Sequence, residues 1–311
     1  MSMAALLDQN SAMVLSVTPS DLNAVTIEAC RETHKLEVLA FLARRPIHTV
    51  IMAGFIHDNG LISPLNRGSF YTCRDLYGQL QGVALIGHAT LIEAHNQAVV
   101  QAFAKVAQDF SFAHVIMGEQ EKIELFWRYY CPGGQAPRLV CRELLFEQRS
   151  PPVVRYQVPE LRLAELADLE DVMKAQAEMA YQESGINPME ADVAGFHQRC
   201  ARRIEKNRVW VLMKDARLIF KTDVISETAE VLYLEGVYVD AEKRREGYGL
   251  ACLSQLACVL LARSPSICLL VNEQNLSAQA LYKSAGFSQR SCYDSIFLHK
   301  QTAELETHSL C

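Results

Sequence analysis

Apolar positions along the second half of the chain alternate between two periods. Val209-Trp210-Val211-Leu212-Met213 and Leu218-Ile219-Phe220-Lys221 are short apolar runs around Lys214-Asp215-Ala216-Arg217, which predicts a hairpin. Val231 to Val239 predicts another strand. After a polar loop, Leu250, Leu253, Ala257, Leu260 and Leu261 fall on one face of a helix. Ser266 to Val271 then reads as a buried strand and Ser277 to Ala285 as a short helix. Upstream, Leu161-Arg162-Leu163 predicts a strand, and Asp168 is suited to cap a helix reaching about Gln182. A loop from Glu183 to Pro188 and a second helix through Phe196 and Ile204 follow. This mixture predicts an α/β (α+β) fold with helices on a sheet.

The segment 148–159 carries three prolines and breaks both periods. Its two sides begin alike: Val14-Leu15-Ser16-Val17 before Ser20-Asp21-Leu22-Asn23-Ala24-Val25 matches Leu161-Arg162-Leu163 before Ala167-Asp168-Leu169-Glu170-Asp171-Val172, each a strand and then a capped helix. Their ends match too, in Cys141-Arg142-Glu143-Leu144-Leu145-Phe146 and Cys292-Tyr293-Asp294-Ser295-Ile296-Phe297. We read a tandem duplication. The expected boundaries are 1–148, a linker at 149–159, a second domain at 160–299 and a polar tail at 300–311.

At 311 residues, half of them apolar, there is material for two cores. The formal charge of −6, without a long basic run, argues against a nucleic-acid partner. No apolar run reaches the roughly 18 residues of a membrane span, and the start lacks a basic signal-peptide region. Ten cysteines are scattered without a C-x-x-C pair, which favours reduced thiols in a cytoplasmic setting and no metal. His197 and Cys200 form H-x-x-C on a predicted helix with no second pair of matching spacing, so a structural role is expected.

The loop Lys243-Arg244-Arg245-Glu246-Gly247-Tyr248-Gly249-Leu250 joins a predicted strand to a helix. Helix-start amides lack intrahelical partners and favour an anion. Glycines there let a phosphate approach the backbone, and the arginines add charge. No Gly-Lys-Ser/Thr follows, and position 252 is Cys rather than a third glycine, which excludes a P-loop and a dinucleotide fingerprint. With Arg244-x-x-Gly247-x-Gly249 after Gly236-Val237-Tyr238-Val239, and Asn275 before a helix closing in Gly286-Phe287, the second half resembles the GNAT superfamily of N-acetyltransferases. The first half, where Gly82 to Gly87 leads through Leu91 to Gln97 into a helix, has no such loop. The whole chain resembles a tandem GNAT protein with a degenerate N-terminal copy.

This resemblance implies two GNAT-like domains, each a mixed, mostly antiparallel twisted sheet flanked by helices. It also implies an acyl-CoA-dependent N-acyltransferase passing acetyl from acetyl-CoA to a primary amine of a small molecule or peptide, by direct attack. The alternative is a non-catalytic acetyl-CoA sensor. The resemblance assigns the pantetheine arm to Val237, Tyr238 and Val239, the pyrophosphate to Arg244, Arg245, Glu246, Gly247, Tyr248, Gly249 and Leu250, and a pantetheine contact to Asn275. Tyr282 is the candidate acid for the departing thiolate. Glu235, read by simple alternation onto the face of Val237 and Val239, is the candidate base; relatives that place the acid elsewhere would put it at Tyr233 or Leu270. Gly236 is expected to mark a bulge. The loop Tyr181 to Pro188 is expected to border the acceptor, with Glu178 and Glu183 able to attract a cationic amine. A monomer with an internal pseudo-dimer, or a homodimer, is expected.

Overall fold

A computed structural model describes residues 24–299. The repeats at Val14–Val17 and Ser20–Asn23, and the tail from residue 300, lie outside the described residues. Up to the proline-rich segment the elements are β1 (Val25–Ala29), α1 (Lys35–Leu42), α2 (Pro46–Asn59), β2 (Gly68–Asp75), β3 (Leu80–Gly87), β4 (Ala89–Ala94), α3 (Gln97–Gln108), β5 (Val115–Glu119), α4 (Gln120–Tyr130) and β6 (Pro137–Gln148). After it come β7 (Leu161–Leu163), α5 (Leu169–Ser184), α6 (Pro188–Ala191), α7 (Val193–Glu205), β8 (Val209–Lys214), β9 (Arg217–Glu227), β10 (Leu232–Val239), α8 (Tyr248–Leu261), β11 (Ile267–Asn272), α9 (Leu276–Ser284) and β12 (Ser288–Leu298). Residues 149–160 form no helix or strand.

The chain divides into two compact units whose membership is not linear. Among the described residues, the first unit takes 24–42, 58–140 and 294–299, and the second takes 43–57 and 141–293. The last two thirds of β6 and most of α2 therefore belong to the second unit, and the end of β12 to the first. This differs from the linear boundaries expected around 149–159. Period and composition mark where a strand lies, but not which sheet it joins.

In the first unit β1, β2, β3 and β4 run antiparallel in sequence order, and β5 lies parallel to β4. Helix α3 makes the crossover, as a parallel pair requires. Val99 and Phe103 of α3, Phe126 and Tyr130 of α4, and Ile27, Ile116, Ile296 and Leu298 of the strands share its core. Val25, expected to continue a helix after Asp21, instead opens β1 and pairs with Asp75. The alternation in Val25-Thr26-Ile27 suits a half-buried strand, with Ile27 inward.

The second unit repeats that succession. Its strand order is β6-β11-β10-β9-β8-β7, antiparallel except for the pair β10 and β11, bridged by α8. The β8–β9 turn places Asp215 and Ala216 at φ of 51° and 57°, as a two-residue hairpin loop requires. On one sheet face Leu253, Leu256 and Leu260 of α8 pack on Leu232, Leu234, Leu269 and Phe146. On the other, α5 and α7 cover β8 and β9 through Val172, Ala175 and Ile204, while Val50 of α2 packs on Leu145, Tyr233, Cys268 and Tyr293. Glu183 and Ser184, expected in a loop, form the last turn of α5, which ends at Gly185 with φ of 69°. A left-handed glycine supplies that stop.

Candidate functional site

Strand β10 changes partner halfway along. Leu232, Tyr233 and Leu234 pair with Ile267, Cys268 and Leu269 of β11, and the pairing stops there although β10 continues to Val239 and β11 to Asn272. On the β9 side the register slips between Glu235 and Tyr238. Gly236, at φ of +67°, sits in this slip, where a Cβ would lie 2.8 Å from Lys221 Nζ and 3.1 Å from Gln176 Oε1. A bulge that bends its strand opens the sheet locally. A slot is left between the C-terminal ends of β10 and β11. Beside it lie Val237, Val239, Tyr248, Leu250 and Leu281, partly exposed apolar side chains on the edge of the α8 core.

Eight residues, Asp240 to Gly247, connect β10 to α8. Arg217 grips Asp240 through two hydrogen bonds of 2.8 and 2.9 Å, and Asp240 in turn accepts from the Glu242 amide at 2.9 Å. Burial pushes the Asp240 carboxyl up, but the Arg217 guanidinium outweighs it and holds the group below its usual value. Arg245 and Gly247 take φ of 66° and 89°. The first intrahelical bond of α8 runs from the Ala251 amide to the Gly247 carbonyl (3.0 Å), so the amides of Tyr248, Gly249 and Leu250 precede the ladder. Gly247, as N-cap, has no side chain to accept from them. These are the donors an anion would meet.

The structure assigns the two glycines different work. A Cβ at Gly247 would meet open space, whereas one at Gly249 would lie 3.1 Å from Val239 Cγ2. Gly247 bends the loop; Gly249 lets α8 close on β10. Arg244 turns its Nε back to the Val239 carbonyl (3.1 Å), occupying one acceptor position of a residue assigned to the pantetheine arm. Arg245 and Glu246 stay exposed, and Lys243 holds Glu246 at 3.3 Å. In the first unit only His95 and Asn96 separate β4 from α3, and the Asn96 side chain accepts from the Val99 amide at 3.1 Å. Its helix start is capped from within.

Asn275 is the N-cap of α9: its Oδ1 accepts from the Ala278 amide (3.1 Å) and the Ser277 hydroxyl (2.9 Å). Only its Nδ2 is left to donate elsewhere. Tyr282, two turns further along α9, is 6% exposed and packs its ring against Phe146 and Phe287. Burial drives its hydroxyl well above the usual range, so it stays a protonated donor at neutral pH.

Glu235 requires a correction. Alternation put it on the face of Val237 and Val239, but the bulge inserts a residue and shifts the phase. Leu232, Leu234, Val237 and Val239 share the α8 face, whereas Tyr233 and Tyr238 pack on the opposite side. Glu235 joins that second set. There it neighbours Glu183, Tyr233 and Arg203, all of which feel its charge. Beneath the bulge, Lys221, with no exposure, lies 2.9 Å from Asp223 and also bonds Gln176, while Arg203 reaches Asp223 at 3.0 Å. Sequence reading passed over this group. Its signal was a lysine and an aspartate two apart in an apolar strand, opposite a strand glycine. Glu178 and Glu183 belong to α5, and Gln176, Ala180 and Glu183 recur at helical spacing on one side of it.

The FR47-like protein family model matches residues 225–295, the stretch from the end of β9 to β12. No curated protein sequence matches the chain significantly. Among solved structures, a Drosophila melanogaster protein is 11% identical with a TM-score of 0.65, over 89% of this chain and 99% of its own. A tandem GNAT protein from the clavulanic acid biosynthesis pathway, 11% identical, has a TM-score of 0.54 over 89% of this chain and 100% of its own. A GCN5-related N-acetyltransferase from Sphaerobacter thermophilus, 14% identical, has a TM-score of 0.54 over 88% and 94%. At such identities what is shared is the fold. A bulged β10 splaying from β11, with a glycine-capped helix closing the slot, thus belongs to a chain that has the GNAT acetyltransferase fold.

Proposed function

We propose that the protein is an acyl-CoA-dependent N-acyltransferase, with acetyl-CoA as donor and a primary amine as acceptor. The observation that carries this reading is the slot between β10 and β11, which ends at the three uncapped amides of α8. An extended arm with a diphosphate at one end fits that shape and polarity. When bound, acetyl-CoA supplies a thioester carbonyl open to direct attack.

The residues then divide the proton work. Glu235, from the face opposite α8, takes a proton from the acceptor ammonium through water, leaving a neutral nitrogen lone pair. As the carbon–nitrogen bond forms and the carbon–sulfur bond breaks, Tyr282 gives its hydroxyl proton to the departing sulfur; the nitrogen gives up its second proton to water, and a proton returned from water restores Tyr282. The slot lets the two act from opposite sides of the sheet. The first unit, whose α3 is capped by Asn96, contributes no second diphosphate site in this reading.

Titration with acetyl-CoA tests it directly. The parent chain is expected to gain thermal stability with ligand concentration. Arg245→Glu, an exposed change at the loop, is expected to weaken binding about tenfold, as loss and reversal of a charge beside an anion does. Absence of any acetyl-CoA affinity in the parent would remove the reading.

A further inference from the structure

Resting on that reading, we propose that the acceptor is a short aliphatic diamine or polyamine, whose second cationic centre is held at Glu183 beside the unpartnered hydroxyl of Tyr233. One amine is the nucleophile at Glu235; the other stays an ammonium.

The placement follows from the sheet and helix. Tyr233 and Glu235 lie on the sheet face away from α8, together with Cys268 and Leu270 of β11 and Glu143 and Leu145 of β6, by the registers Tyr233↔Cys268, Leu270↔Leu145 and Asn272↔Glu143. Glu183 joins them from α5, which packs on β10 and sends Gln176, two turns earlier on the same side, to the Gly236 bulge. Three carboxylates thus converge; Glu143 has a partner of its own, and Lys221 and Arg203 both serve Asp223.

Tyr233 indicates that this convergence faces a ligand. It is 6% exposed, yet no described residue hydrogen-bonds its hydroxyl, and the charges it feels are Glu235, Glu143 and Glu183. Its ring is buried while its oxygen is not sealed from solvent, so the hydroxyl is open to a polar group entering from that side. The contrast with Glu147 on the same face is instructive. That carboxylate is buried as well, but Ser266, Arg149 and Arg290 satisfy it at 2.7 to 2.8 Å. Among the described residues Glu183 has no such cation. It is reached by solvent, yet surrounding protein and its acidic neighbours raise its carboxyl to about 8, the condition of a side chain on the wall of a recess. An arriving ammonium would let it ionise, releasing its proton to water, and would meet the Tyr233 oxygen as an acceptor.

The test compares diaminobutane, butylamine and γ-aminobutyrate as acceptors, following CoA release at saturating acetyl-CoA. The diamine is expected to exceed butylamine in kcat/KM about tenfold, the scale of one buried charge pair, and the zwitterion to be poorest. Glu183→Gln is expected to collapse the diamine preference through KM, with Tyr233→Phe lowering it in the same sense. Circular dichroism establishes that both variants fold. Turnover with butylamine or γ-aminobutyrate equal to the diamine, or a preference that survives Glu183→Gln, overturns the diamine assignment and leaves the acyltransferase reading standing. Acetyl-CoA binding without turnover of any amine overturns both.

Discussion

Gly236 is held at a φ that side chains with a Cβ rarely adopt, with the Lys221 ammonium 2.8 Å from where that Cβ would stand. Gly236→Ala is therefore expected to cost about 1–3 kcal/mol of stability, read by urea denaturation, and to displace the Lys221–Asp223 pair. At Glu183 the prediction concerns pH. Burial and the charges of Glu235 and Glu143 lift its carboxyl from 4.5 to about 8, so between those values the folded chain holds a proton that the unfolded chain has lost. Stability then falls as pH rises through that window. The Tm of Glu183→Gln relative to the parent should climb across it and level off on either side. A flat difference would mean that the carboxylate is no more confined than one in water. Glu235 shows why such residues were only half legible: its type and position were readable, but its face depended on a bulge that alternation alone cannot register.

Among the elements, the stretch from β10 to α9 was the most readable, because glycine, arginine and asparagine mark chain reversals and helix starts by their own chemistry. Asn275 was assigned a ligand contact, and the fold uses it first as a cap. The two uses separate by experiment. Asn275→Ala should cost about 1 kcal/mol through the lost cap, whereas Asn275→Asp keeps an acceptor for the Ala278 amide and removes only the Nδ2 donor. If the aspartate variant retains both stability and acetyl-CoA affinity, the residue serves α9 alone. The helix α5 ran longer than expected because Gly185, not the polar run at Glu183, provides the left-handed stop. That shift placed Glu183 in the last turn of a helix rather than in a loop.

Across the whole molecule, the match of Cys141–Phe146 with Cys292–Phe297 falls on two strands, β6 and β12, whereas the match expected at the starts fails at Val25, which opens β1, and the membership of the units was not legible. Strand pairing between distant segments leaves no local mark when both candidates are equally apolar. A fragment beginning at residue 149 lacks β6, which pairs with β11 from Ile267 to Asn272, and lacks Val50 of α2. It is expected to be soluble only with its edge covered, and light scattering should find it aggregated. The same exchange governs the order of events during synthesis. Ile296 and Leu298 lie in the core of the unit that opens the chain, so that core stays incomplete until the ribosome has delivered nearly the last described residue. A stop codon shortly before position 294 would leave the beginning of the protein unfinished.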